Sequence, residues 1–94
     1  MRFVEAKVPV LIFQEGEKII AYSPALDLST YGNTEKQAKQ RFDEAVSIFF
    51  AECLKMGTLD EVLEECGWQK LTDGRHWLPP AFKSYKEESI QIPV

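Results

Sequence analysis

The chain reads as an α+β protein: an antiparallel sheet of three to four strands with one long helix packed across a face. Three observations predict this. A polar turn with one glycine separates two apolar runs near the start, a helix-period apolar stripe fills residues 35–56, and threonine and glycine stand at its two ends. The 94 residues leave room for one core, so residues 1–94 are expected to form a single domain.

Residues 4–13 read as the first strand. Val4, Ala6, Val8, Val10 and Ile12 alternate with Phe3, Glu5, Lys7, Pro9 and Leu11. Pro9 has no amide hydrogen to give to a ladder, so the regular strand is expected from about residue 7. Gln14 to Lys18 has hairpin-turn chemistry, and Ile19 to Ser23 is the returning strand. Pro24 interrupts that strand and opens a loop. Leu28 to Tyr31 forms a third short strand, where threonine and tyrosine favour extended backbone, and Gly32-Asn33 turns the chain.

Thr34 begins a capping box with Gln37, which predicts a helix from Glu35 to Met56. Its apolar stripe is Ala38, Phe42, Ala45, Val46, Phe49 and Cys53, widened by Phe50, and Gly57 is a natural stop. Ile48 falls well off the stripe. It is either a single exposed apolar residue or the mark of a second face covered by another chain or by the C-terminal segment. Thr58 and Glu61 form a second capping box, which predicts a short helix from Leu59 to Cys66. Trp68 to Leu71 and Arg75 to Leu78 flank Thr72-Asp73-Gly74 as a hairpin. The final SIQIPV alternates Ile90, Ile92 and Val94 with polar residues and Pro93, the pattern of a late edge strand.

Composition narrows the function. Hydrophobic residues at 45% and charged residues at 28% fit a folded globular domain and argue against disorder. A net charge of −4 does not suit binding to phosphates, so no direct DNA binding is expected; it suits a basic partner or a solubilising surface. Cys53 and Cys66 make no disulfide scaffold and fit a reducing cytoplasm. The start of the chain lacks a signal-peptide pattern and no segment approaches a membrane span, so a cytoplasmic protein is expected.

No residue pattern announces a reaction. His76 is the single histidine, and no nucleophile-elbow sequence surrounds Ser23 or Ser29. Cys53, Cys66 and His76 lie on separate elements, so no metal site is expected. The glycines are isolated turn and cap residues, which gives no phosphate cradle and no cofactor. Lys36, Lys39 and Arg41 read as a solvated helix face. Trp68, Trp77, Phe82 and Tyr85 crowd the last third, either capping a thin core or forming a ligand or peptide surface.

The segment from Ile20 to Ala38 resembles the HicB family of antitoxins. The matching residues are Ala21, Pro24, Leu26, Asp27, Thr30, Gly32, Thr34 and Ala38, in the family's order. VPVLIFQEGEKII resembles the family's first hairpin and SIQIPV its last strand. The resemblance implies a truncated ribonuclease H-like sheet and a non-enzymatic protein that masks a small basic, mRNA-cleaving toxin. The chain departs from the pattern at Asp27-Leu28-Ser29. It also carries residues 58–88 where many members have a DNA-binding segment, so an orphan of the family, without a toxin, is a further expectation. The expected partner surface comprises Tyr22, Pro24, Asp27, Tyr31, Trp68 and Trp77. Homo-oligomerisation is expected through unpaired sheet edges.

Overall fold

The computed structural model describes residues 3–94. Its architecture is α+β, as the sequence predicts. The strands β1 (Leu11–Glu15), β2 (Lys18–Ser23) and β3 (Leu28–Gly32) form an antiparallel meander in the order β1-β2-β3. The helix α1 (Glu35–Met56) follows, then the short helix α2 (Leu59–Glu65). A separate two-stranded ribbon, β4 (Gln69–Lys70) with β5 (Trp77–Leu78), completes the regular structure.

β1 begins at Leu11, four residues later than the sequence suggests, because it pairs only where β2 returns: Leu11 faces Tyr22 and Glu15 faces Lys18. The helix bounds agree with the sequence reading. Thr34 is extended (φ −133°, ψ 161°), and its hydroxyl accepts from the Gln37 amide at 3.0 Å. The Gln37 side chain accepts from the Asn33 amide at 2.7 Å, one residue upstream of the cap amide that a capping box would engage. At the other end Gly57 is left-handed (φ 69°). The Gly57 amide donates to the Leu54 carbonyl and the Thr58 amide to that of Cys53, a Schellman closure.

That closure corrects the second capping box. Thr58 is held as the last residue of the α1 stop, with ψ near 7°, and its side chain makes no cap hydrogen bond to α2. An N-cap needs extended backbone to aim its oxygen at the following amides. The C-terminal hairpin is also one residue wider than the Thr72-Asp73-Gly74 turn expected from the sequence. Leu71 donates to the His76 carbonyl at 2.8 Å across a four-residue loop, whose Asp73 carboxylate accepts from the amides of Arg75 and His76. SIQIPV forms no strand. Residues 79–94 are neither helix nor strand, and every residue from 81 to 94 is exposed. Their alternation is real, but among the described residues no strand stands beside them.

The core lies on one side of the sheet. Ala21 of β2 packs with Ala38 and Phe42 of α1, all nearly inaccessible. A second cluster joins Ala25 and Leu26 of the β2–β3 loop to Leu63 and Trp68, and Leu28 and Val46 touch both clusters. Burying one such large apolar side chain stabilises by about 1.5–3 kcal/mol, so Phe42 anchors the helix to the sheet. Thr30 ties the layers further by donating its hydroxyl to the Ala38 carbonyl at 2.9 Å. Ser23 is fully buried, and its hydroxyl has no hydrogen-bond partner among the described residues. Ile48 is 64% exposed, so among the described residues, the C-terminal segment included, none covers it.

Candidate functional site

Strand alternation assigns two faces to the sheet. Ala21 and Thr30 pair across the strands and face α1. Their neighbours therefore point the other way: Leu11 beside Tyr22, Phe13 beside Ile20, Ile20 beside Tyr31 and Tyr22 beside Ser29. No helix of the described chain crosses this outer face, so an apolar and aromatic layer meets solvent. Phe13 is 50% and Tyr31 58% exposed, while Leu11, Ile20 and Tyr22 are half-buried.

Charged groups frame the layer. Two cations approach the Tyr31 ring, with Lys18 Nζ 5.7 Å and the Arg41 guanidinium 5.6 Å from its centroid. Lys18 Nζ donates to Asn33 Oδ1 at 3.0 Å, and Arg41 donates to the Tyr31 carbonyl at 2.8 Å, so both cations are held in place. A shallow cavity of about 420 Å³ runs past Glu15, Lys18, Ile20, Ser29, Thr30 and Tyr31. At the loop end the Tyr22 hydroxyl donates to Asp27 Oδ1 at 3.2 Å. Partial burial and then the Asp27 carboxylate push the Tyr22 phenol above its ordinary pKa, which keeps it a neutral donor. Asp27 adopts left-handed backbone (φ 49°) in the tight return after exposed Pro24.

The six expected partner residues thus divide. Tyr22 and Tyr31 share the outer face, Asp27 is drawn to its end by Tyr22, and Pro24 lies in the adjoining loop. Trp68 sits elsewhere, 5% exposed, with its indole N–H donating to the Ala25 carbonyl at 2.7 Å. Its ring serves the core and presents no surface to a partner. Trp77 is half-buried against the same cluster, with Lys70 Nζ 5.5 Å above its ring. Phe82 and Tyr85 are exposed and belong to neither core cluster. Phe13, Ile20 and Arg41 belong to the outer face and were not among the six. The alternation Leu11, Phe13, Glu15 was a readable signal for Phe13. Placing Arg41 needed the helix position.

The polar clusters elsewhere are local. His76 Nδ1 meets the Asp73 carboxylate three residues away, on an exposed loop. Cys53 is buried, and burial, followed by the nearby acids, pushes the Cys66 thiol up, away from the reactive thiolate. Among the described residues no helix is long and apolar enough to cross a membrane. No family model matches the chain, and neither a curated protein nor a solved structure matches it.

Proposed function

We propose that this chain is a non-enzymatic interaction protein of the HicB-like antitoxin kind, whose outer sheet face receives and masks a small basic, mRNA-cleaving toxin. The observation that carries the reading is the uncovered layer of Phe13, Ile20, Tyr22 and Tyr31, opposite the face sealed by α1. Aromatic side chains on an otherwise polar surface are the usual anchors of protein interfaces. The resemblance from Ile20 to Ala38 and the net charge of −4 support the choice of partner. A toxin that grips RNA needs a cationic surface, and the net charge of the whole chain speeds encounter with it. At the face itself Lys18 and Arg41 stand beside Tyr31, so Glu15 and Asp27 are the groups there that would meet a cation.

The test is co-expression with any small basic protein encoded beside this chain, followed by affinity capture. A stable complex is expected, lost on Phe13→Glu or Tyr31→Glu in variants that keep the wild-type helical circular dichroism. No complex, or a complex indifferent to both substitutions, refutes the reading. A peptide-binding module at the C-terminal ribbon is the second reading, supported by half-buried Trp77 beside exposed Leu78. It predicts capture that fails on Trp77→Ala and survives Tyr31→Glu.

A further inference from the structure

Among the described residues, one long segment after the last regular element and one open sheet edge stand out; residues 3–10 also lie outside the regular elements. The segment is the C-terminal arm. Every residue from 81 to 94 is exposed, and the hydrogen bond within the arm, Tyr85 to Glu87, reaches no other element. Ile90 is 77% and Ile92 74% exposed, two residues apart, as alternate positions of a strand require. The edge is β1, whose outer side faces no strand among the described residues. The opposite edge, β3, is different: Arg41 occupies its Tyr31 carbonyl, and α1 packs over it.

Beside β1 lies a groove of about 350 Å³, lined by Val10, Ile12, Glu35, Lys36 and Lys39. Its floor is apolar, and Ile12 is 40% exposed there although it shares the inward face with Ala21. The helix crosses β2 and β3 and stops short of covering this strip. A strand laid along β1 would fill the groove with alternate apolar side chains.

We propose that residues 89–94 of one copy add as a fourth strand along β1 of a second copy, and reciprocally, with Ile90 and Ile92 in the groove over Val10 and Ile12. Both halves of the contact belong to this chain, so a two-fold axis satisfies two arms and two edges and closes the assembly. Charge fits: Glu87 and Glu88 immediately precede the alternating segment, and Lys36 stands on the groove wall with Glu35 and with Lys39, which also holds Asp43 at 3.2 Å. Pro93 fits as well. With Ile90 and Ile92 bonding inward to β1, the residue lacking an amide hydrogen points to the outer, solvent side. The arm has the reach. Fourteen residues after Pro80 span up to about 45 Å, beyond the molecule's shorter dimensions of 27 and 22 Å.

The test is sedimentation equilibrium on the full chain at about 50 μM. The wild type is expected to be a dimer. The arm variant I90E/I92E and the groove variant I12E are each expected to be monomeric with unchanged helical circular dichroism. Should I12E lose its helix signal, K36E/K39E, altered only at exposed positions, replaces it and is expected to weaken the dimer at least tenfold. An equimolar mixture of arm and groove variants is expected to restore dimers, because each mixed pair keeps one intact arm and one intact groove. A monomeric wild type overturns the proposal. So does a dimer that survives both kinds of variant, or a mixture that stays monomeric. The outer face is untouched by these changes, so toxin capture by I90E/I92E reports on the proposed function separately.

Discussion

Gly32 sits where the sheet and the helix come closest, and the substitution Gly32→Ala tests that approach quantitatively. A Cβ there would stand 2.7 Å from the Ala38 amide nitrogen and 3.0 Å from both Cβ and Oε1 of Gln37. Comfortable contact begins at about 3.5 Å, so the first turn of α1 must retreat by roughly 0.8 Å. The obstructing atom is helix backbone and cannot rotate away. Retreat stretches the Thr30–Ala38 bond of 2.9 Å and the Gln37–Asn33 bond of 2.7 Å. Overpacking costs about 1–3 kcal/mol and each weakened hydrogen bond about 0.5–1.5 kcal/mol. Alanine returns about 0.4–1 kcal/mol by narrowing the unfolded ensemble, since Gly32 does not use left-handed backbone. The net expectation is a loss of about 2 kcal/mol, or roughly 10 °C in Tm for a domain of this size. Urea titration followed by circular dichroism at 222 nm reads it as a lower midpoint at unchanged slope. A neutral or more stable G32A refutes the close approach and the account of why the junction carries glycine.

Other perturbations separate caps, core and surface. Thr34→Ala removes the hydroxyl that accepts from Gln37 and should cost about 1 kcal/mol by denaturant titration, whereas Thr58→Ala, lacking such a bond, should stay within about 0.5 kcal/mol. Trp68→Phe strands the buried Ala25 carbonyl and thins the core, an expected loss of about 2–3 kcal/mol in the same assay. The amides of His76 and Arg75, and then the His76 ring, hold the Asp73 carboxyl well below its usual range. Its contribution to stability is therefore complete above the unfolded value, near 4, and disappears as pH falls through the lower folded value. The stability advantage of wild type over Asp73→Asn should hold from neutrality down to about pH 4 and shrink below it; an advantage that grows on acidification contradicts the assignment.

What the sequence disclosed follows from how local each cause is. The limits of α1 were legible because Thr34 and Gly57 act within one turn of themselves. The meander was legible because short turns bind consecutive strands, although the start of β1 depended on where β2 ends. Thr58 misled because two local rules compete for it, and the stop of α1 wins over the start of α2. The arm misled because alternation reports an amphipathic segment without naming its neighbour. Trp68 could not be placed from sequence, since its partner Ala25 lies 43 residues away. The outer face was half legible: Tyr22 and Tyr31 stood out, but Phe13 and Ile20 join them only once the register is known.

The proposed partner face exists only if the sheet is sealed on one side and open on the other. Hydroxyl-radical footprinting of the isolated chain measures this directly. Phe13 and Tyr31 should oxidise at rates approaching that of exposed Tyr85, while Phe42 and Trp68 stay protected by at least about tenfold, as burial dictates. Phe13 and Tyr31 protected to the level of Phe42 would mean the outer layer is already covered, and the proposed partner face would not exist.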